Sequence, residues 1–176
     1  MNRDHGSQTS EVPIERIDYH DHFELTTEEE DRFSNIESFV YQLATQQPGW
    51  LTQLSLGLRG RDRLEQAAGD GTFPVGSAIG NWRIVERTPT EVVMAEDMGM
   101  MRYRLTYTWL APNRIAACTD VMLTSRWVGP IYWRLATPMH RRFLPMMMRN
   151  AAFGDGTVAA LAYTGQGGTG RPISAG

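Results

Sequence analysis

The chain has 176 residues, enough for one domain with a substantial core. Its formal net charge is −3, from 20 acidic residues against 17 basic ones, all of which are arginine. This balance provides no overall positive field for phosphate backbones or anionic membranes, and it disfavours a nucleic-acid-binding function.

Cysteine content and hydropathy bear on the compartment. Cys118 is the single cysteine, which excludes an internal disulfide and a thiolate zinc cage and is typical of a reducing compartment. Residues 1–13 are polar and lack the apolar segment of a secretory signal. No run of about 18 apolar residues is present to cross a bilayer. We therefore expect a cytoplasmic protein without a membrane span.

Both ends of the chain have compositions typical of disordered tails. Residues 1–13 are polar, and residues 165–176 consist largely of glycine and small side chains that cannot bury enough apolar surface to become ordered. The sequence therefore predicts a single domain over residues 14–164 between two disordered tails. It contains no internal repeat.

The segment from residue 14 to residue 25 predicts a half-buried strand. Two short helices are predicted after it. One side of the strand carries Ile17, Tyr19, Phe23 and Leu25, and the other carries Asp18, His20, His22 and Glu24. A capping box at Thr26 or Thr27 predicts the first helix start. The apolar face of that helix comprises Phe33, Ile36, Val40 and Leu43. After Pro48 and Gly49, a second helix with Trp50, Leu51, Leu54 and Leu58 is predicted to about residue 66.

Four further strands are predicted over residues 81–87, 91–97, 101–110 and 114–124. Turn residues separate two of these pairs, so consecutive strands can form an antiparallel meander. In the strand at 101–110 the odd positions from Met101 to Trp109 form a large apolar face, whereas the even positions from Arg102 to Thr108 are polar. The apolar face must be covered by another element.

Residues 127–150 predict the amphipathic helix that covers this face. Its apolar positions recur every three or four residues and are Ile131, Leu135, Met139, Phe143 and Met146. Pro138 and Pro145 remove amide donors, so we expect a bend or break near residues 134–137 and a milder one near 141. Arginines at 134, 141, 142 and 149 exclude a transmembrane helix. A helix lying on a membrane surface stays open beside core packing with a solvated arginine face.

The order of these elements is that of the helix-grip fold, an α+β architecture in which an antiparallel sheet wraps a long kinked C-terminal helix. An aromatic strand face opposite a Met-rich helix suits an apolar ligand in a cavity between them. The same side chains would equally fill a dry core. Both alternatives stay open at this point.

The chain resembles the DUF2867 family, a set of uncharacterised bacterial proteins, over most of its body. The resembling residues are Asp18, Tyr19, Asp21 and Phe23; Pro48, Gly49, Trp50, Leu54, Leu58 and Arg59; Glu96, Asp97, Tyr103 and Arg104; and Gly129, Tyr132, Pro138, His140 and Arg141. The resemblance implies a START-like, Bet v 1-like (SRPBCC) fold. It also implies a dinucleotide-binding domain, similar to nucleotide-sugar epimerases, as a partner in some longer proteins.

The chain departs from the family in one motif. Where the family carries a His-Leu-Asp run, this sequence has Met100, Met101 and Arg102, which argues against an acid/base site there. No Gly-rich strand-to-helix turn is present, so we expect neither a nicotinamide site nor another cofactor.

The favoured function is binding of a small, largely apolar or aromatic molecule between the sheet and the last helix. The candidate ligand-binding residues are Trp50, Tyr103, Arg104, Tyr107, Trp109, Met139, Phe143 and Met146. The tyrosines and Trp109 would stack on the ligand, Met139, Phe143 and Met146 would form an adaptable lid, and Arg104 or His140 would be the polar anchor.

Two other functions remain open. A cyclase- or dehydratase-like enzyme would use His140 with Asp97 for proton transfer, although a structural hydrogen bond also explains His140. An interaction module with a filled core would instead meet a partner protein or a second copy in a homodimer.

Two polar clusters are weaker candidates. His20 and His22, with Asp18, have a spacing that metal sites use, but a solvated strand face explains them and no third ligand is assignable, so we predict no metal site. Arg59, Arg61 and Arg63 could hold an anion or simply be solvated.

Overall fold

The computed structural model describes residues 13–27, 35–45, 74–79 and 82–153. The described elements are the strands β1 (Tyr19–Thr26), β2 (Ala78–Ile79), β3 (Trp82–Thr88), β4 (Glu91–Asp97), β5 (Met101–Ala111) and β6 (Arg114–Leu123), and the helices α1 (Ile36–Thr45) and α2 (Val128–Phe153). Neither the predicted second helix nor the predicted tails, apart from residue 13, belong to the described ranges.

The strands form one antiparallel sheet in the order β1-β6-β5-β4-β3-β2. Strands β2 to β6 follow one another as a meander, and β1 completes the sheet by pairing with β6 over its whole length. The predicted α+β class with an antiparallel meander is confirmed. Since β1 and β6 are far apart in the sequence, their pairing brings side chains from distant segments together on the same face of the sheet.

The alternation of β5 sets the two faces of the sheet. Met101, Leu105 and Tyr107 are buried on the face that meets the helices, as the pattern predicts. Tyr107 pairs with Val92 on β4 and with Ala117 on β6, so the centre of this face is apolar across three strands.

Helix α1 begins after Asn35, whose side-chain oxygen accepts a hydrogen bond from the Ser38 amide at 2.8 Å, as an N-cap does. The predicted start at Thr26 or Thr27 is therefore wrong for this helix. Thr26 ends β1, and the Thr27 amide donates to the Asn113 carbonyl at 2.8 Å. The apolar face is as predicted for the described residues: Ile36, Val40 and Leu43 are buried, together with Phe39.

Helix α2 is continuous over 26 residues, with Pro138 and Pro145 inside it. The helix therefore does not break at either proline, and the alternative of a bend stays a prediction. Pro138 and Arg134, whose carbonyl loses its amide partner, are both exposed, so water can satisfy the freed group. In the preceding turn the Thr137 hydroxyl also donates to the Trp133 carbonyl at 2.7 Å.

The main core lies where the C-terminal half of α2 meets α1 and the centre of the sheet. Its fully buried members include Phe23, Leu25, Phe39, Tyr107 and Met148. In the N-terminal half of α2, Trp133 packs against a different part of the sheet, around Met101 and Val121. No helix within the described ranges is long and apolar enough to cross a membrane.

Candidate functional site

A partly open cavity of about 300 Å³ lies between the sheet and α2. The sheet contributes Trp82, Glu96, Met98, Met101, Tyr103 and Leu105 to its lining, and α2 contributes Tyr132, Trp133, Ala136, Met139, His140, Phe143, Leu144 and Met147. Apolar and aromatic groups with a few polar atoms are the usual lining of small-molecule sites.

The sheet wall carries a carboxylate between two aromatic rings. Glu96 on β4 pairs with Tyr103 on β5, and the Trp82 indole on β3 donates a hydrogen bond to the Glu96 carboxylate. The rings of Trp82 and Tyr103 have centroids 6.2 Å apart. Burial raises the pKa of Glu96, and the hydrogen bond from Trp82 opposes this shift only in part.

The helix wall carries His140 above a buried polar pair from β1 and β6. Its Nε2 lies 3.1 Å from the Thr119 hydroxyl and 3.4 Å from Asp21 Oδ2. The His140 ring also lies against Tyr103 and Trp133, with centroids 6.3 Å and 5.7 Å away. These contacts fix the orientation of the imidazole at the edge of the cavity.

Asp21 is the buried acid of this site, with only 3% of its surface exposed. Its Oδ2 accepts a hydrogen bond from the Tyr19 hydroxyl at 2.7 Å, whereas Oδ1 is buried without a partner. A buried carboxylate oxygen without a donor costs stability, and such groups are concentrated at functional sites. Tyr19 in turn accepts a hydrogen bond from Arg141 Nε at 3.0 Å, which connects the buried acid to the exposed side of α2.

The two tyrosines near these acids stay neutral. Burial, followed by Asp21, raises the pKa of Tyr19 to about 12, although Arg141 opposes the shift. Burial is also the main cause of the raised pKa of Tyr103, with further contributions from Asp21 and Glu96. Both phenols are therefore hydrogen-bonding groups in a locally negative environment at neutral pH.

The arrangement of Asp21 and His140 can support proton transfer. Both polar contacts of the imidazole involve Nε2, and a carboxylate next to Nε2 favours the tautomer with its proton there. Within the described part of the chain, no side chain bonds to Nδ1. The second nitrogen can therefore accept a proton from a bound molecule, while Asp21 stabilises the imidazolium.

The structure places the described residues that the sequence nominated for ligand binding in three different environments. Tyr103, Met139 and Phe143 line the cavity together with His140. Tyr107, Trp109 and Met146 belong to the core or pack against it, outside the cavity lining. Tyr107 is completely buried, and its ring packs against Phe39 with centroids 5.9 Å apart. Trp50 lies outside the described residues.

Arg104 does not turn inward as a polar anchor would. Its guanidinium lies on the opposite face of the sheet, 2.9 Å from Asp120 Oδ2. The even positions of β5 point away from α2, so an inward Arg104 would contradict the alternation that buries Tyr103 and Leu105. The polar anchor available in the cavity is His140.

Asp97 is not the partner of His140. Its two carboxylate oxygens accept hydrogen bonds from the Gly99 amide at 2.8 Å and from Arg102 Nε at 2.9 Å, which stabilises the turn between β4 and β5. Asp97 is exposed, and these donors lower the pKa of its carboxyl group. Asp21 occupies the position that the sequence interpretation assigned to Asp97.

Asp21 and Thr119 are residues of the candidate site that the sequence interpretation did not include. A strict count along β1 places Asp21 on the same face as Tyr19 and Phe23, and this single acidic position on an apolar face was the available signal. Thr119 occupies the equivalent position on β6, directly opposite Asp21 in the register. Glu96 likewise shares its face with Val92 and Met94 on β4.

A second polar cluster lies on the other face of the sheet. His20, Cys118 and Asp120 bring a nitrogen, a sulfur and an oxygen within 4.8 Å of one another. However, the Arg104 guanidinium already binds Asp120, and burial followed by nearby acids raises the pKa of Cys118 to about 11. The arginine competes with a cation for the carboxylate, and the thiol would have to give up its proton to bind one.

The histidine pair suggested by the sequence does not converge with Asp18. His20 Nδ1 lies 2.8 Å from Asp120, whereas His22 Nε2 lies 3.1 Å from Glu24. Asp18 accepts a hydrogen bond from the Leu123 amide at 2.8 Å. The two histidines therefore have separate acidic partners.

An exposed apolar stripe begins at Trp127 and continues along α2. Its members and their exposed fractions are Trp127 (72%), Val128 (57%), Ile131 (63%), Leu135 (75%) and Met139 (45%). The prediction that Ile131 and Leu135 cover the sheet is therefore wrong, because the buried positions of α2 are others, among them Trp133, Leu144 and Met148. Met139 belongs to both the stripe and the cavity lining. An exposed apolar surface thus lies beside the cavity.

The family model described as a protein of unknown function (DUF2867) matches residues 13–147. The chain belongs to the DUF2867 family. No curated protein and no solved structure is significantly similar to it. All cavity-lining residues named above fall within the DUF2867 match, as do Asp21 and Thr119.

Proposed function

We propose that this DUF2867 chain has a helix-grip, START-like fold and binds a small, largely apolar or aromatic molecule between the sheet and α2. The observation that carries the proposal is the cavity of about 300 Å³ with its aromatic and methionine lining. This volume is roughly twice that of the ~150 Å³ apolar cavity that takes up benzene, so a bicyclic molecule fits by size.

The fold supports the proposal because the two halves of α2 have different surroundings. Leu144, Met148 and Ala151 are buried where α2 packs against α1 and the centre of the sheet. Toward its N-terminus, α2 has no other described helix between it and the sheet, and Tyr132, Trp133 and Ala136 line the cavity there. The cavity lies beside the filled core and shares Leu105, Leu144 and Met147 with it.

The polar groups of the cavity would orient the ligand. His140 stands on the helix wall, and Tyr103 and Glu96 stand on the sheet wall. A ligand with one polar end would place that end among these three groups and its apolar body against Met101, Phe143 and the methionines of α2. A few placed polar groups in an apolar site provide this kind of orientation.

Native mass spectrometry of gently purified protein tests this function, with cavity-filling and control variants of α2. Ala136→Phe adds a ring inside the cavity, whereas Leu135→Phe adds the same ring at a side chain that is 75% exposed. We expect a co-purified small molecule in the unaltered protein and in Leu135→Phe, and its loss in Ala136→Phe. Retention by a folded Ala136→Phe variant would contradict binding in this cavity.

The Asp21–His140 pair favours a second candidate function, proton transfer to and from the bound molecule. His140 would take a proton from a carbon or oxygen of the ligand and return it at the same or a neighbouring position, as an isomerase or cyclase does. Asp21 would act as a positioning residue for the imidazole, a role that we first expected for Asp97.

Solvent deuterium uptake by the co-purified molecule distinguishes an enzyme from a pure binder. An enzyme would incorporate deuterium in D2O, and Asp21→Asn would slow the incorporation without abolishing binding. A bound molecule that acquires no deuterium beyond its uncatalysed rate would leave binding as the function and remove the enzymatic alternative.

A further inference from the structure

The charge distribution of the cavity indicates which ligands it can accept. Among the described residues of the lining, Glu96 is the one carboxylate, and no arginine is present. The arginines of β5 are directed elsewhere, because Arg102 binds Asp97 and Arg104 binds Asp120. Behind the lining, Asp21 adds a second carboxylate, which is buried and whose Oδ1 has no donor.

The position of Glu96 between aromatic rings provides the second part of the argument. Glu96 on β4 lies between Trp82 on β3, whose indole donates to its carboxylate, and Tyr103 on β5, with which it pairs. All three side chains line the cavity. The faces of tryptophan and tyrosine attract cations, and this attraction increases when the cation is removed from water. A partly desolvated carboxylate beside such rings binds an ammonium group more strongly than the same carboxylate in water.

We infer that the cavity selects a cationic ligand, an aromatic or apolar molecule that carries an amine, with the amine at Glu96 and the apolar body against α2. This inference rests on the proposed binding function. Two groups define the amine subsite: the Glu96 carboxylate accepts the hydrogen bond of the amine, and the ring of Tyr103, which is paired with Glu96 across the strands, lies beside its positive charge. His140, on the opposite wall, is a neutral acceptor for a second polar group of the ligand when its Nδ1 is unprotonated.

Other charged groups near the subsite agree with this charge preference. The Tyr103 hydroxyl lies close enough to Asp21 and Glu96 for both carboxylates to raise its pKa, so it stays a neutral phenol beside two acids. Arg141 is the nearby cation of α2, and its Nε is directed to Tyr19. At the described lining an anionic ligand would meet Glu96 with no arginine to pair with.

A ligand series with one ring system and three charges tests the inference by isothermal titration calorimetry at pH 7. Tryptamine is cationic, its alcohol analogue tryptophol is neutral, and indole-3-acetate is anionic. We expect tryptamine to bind at least about tenfold more tightly than tryptophol, in line with a charge-assisted hydrogen bond, and indole-3-acetate to bind most weakly.

Glu96→Gln keeps the shape of the side chain and removes its charge. It should reduce tryptamine affinity by about tenfold and leave tryptophol affinity unchanged. Glu86→Gln, at an exposed position of β3, is the matched control and should change neither affinity. The comparison of the three ligands uses the unaltered protein, so it remains decisive even where a variant folds poorly.

The outcomes separate this inference from the proposed function. If tryptophol or indole-3-acetate binds as tightly as tryptamine, the cation preference is wrong and small-molecule binding stands. The same conclusion follows if Glu96→Gln leaves the preference for tryptamine intact. If none of the three ligands binds and native mass spectrometry finds no co-purified molecule, both the cation preference and the proposed function are wrong.

Discussion

Replacing Gly129 with alanine tests how closely α2 approaches the sheet. Gly129 is buried in the first turn of α2, and a Cβ at this position would lie 2.7 Å from the Met100 carbonyl oxygen. That oxygen already accepts hydrogen bonds from the Thr124 and Ser125 amides, both at 3.1 Å. Backbone would therefore have to move, because the closest contact of the new methyl group is with backbone.

The expected cost follows from this geometry. Ordinary contact begins at 3.4 Å, so the methyl group would be roughly 0.7 Å too close to the carbonyl oxygen. Overpacking of this kind costs about 1–3 kcal/mol. Alanine offsets about 0.4–1 kcal/mol by reducing the entropy of the unfolded chain. We expect a net loss of about 1–2 kcal/mol in the free energy of unfolding.

Urea denaturation followed by circular dichroism measures this free energy. Leu135→Ala is the control, because Leu135 lies on the same helix with its side chain 75% exposed and should change stability by less than about 0.5 kcal/mol. A Gly129→Ala variant that is as stable as the unaltered protein, or more stable, would refute the close approach of α2 to Met100.

Three further predictions concern buried polar groups. Tyr107 has a buried hydroxyl without a hydrogen-bond partner. In urea denaturation, Tyr107→Phe should therefore leave the free energy of unfolding unchanged or raise it by up to about 1 kcal/mol, and a decrease of more than about 1 kcal/mol would contradict this prediction. Burial raises the pKa of Glu96, so its ionisation opposes folding as the pH rises above the pKa of the unfolded state. Glu96→Gln should therefore raise the melting temperature relative to the unaltered protein at pH 8 but not at pH 4. An equal difference in melting temperature at both pH values would contradict this prediction. With a pKa of about 11, Cys118 should react with iodoacetamide about a hundredfold more slowly at pH 8 in the folded protein than in urea, and equal rates would show that its thiol is not shielded.

Local periodicity made several features of the fold predictable. The alternation of β5 identified its buried face, and the helical spacing of Ile36, Val40 and Leu43 identified the buried face of α1. Such patterns depend on residues a few positions apart, so the sequence contains them directly. The start of α1 was not predictable from the capping box at Thr26 and Thr27, because Asn35 offers an equally good cap.

The site depended on contacts that no local pattern specifies. Periodicity assigns Tyr103 and Tyr107 to one face of the sheet. It does not say which of them lines the cavity and which is buried in the core. The same limit applies to α2 itself, where Pro138 predicts a break only if the freed carbonyl has no access to water.

The sequence by itself determined the α+β class, the buried faces of β5 and α1, and the presence of a C-terminal helix. It did not determine which face of that helix is buried, because Ile131 and Leu135 are exposed and Trp133, Leu144 and Met148 are buried instead. Tertiary structure alone decided that His140 meets Asp21 and Thr119 rather than Asp97. The pairing of β1 with β6 brings Asp21 and Thr119 together from positions nearly a hundred residues apart. Such long-range pairing is set by the whole core and by the packing of α2 across it, which the spacing of neighbouring residues does not encode.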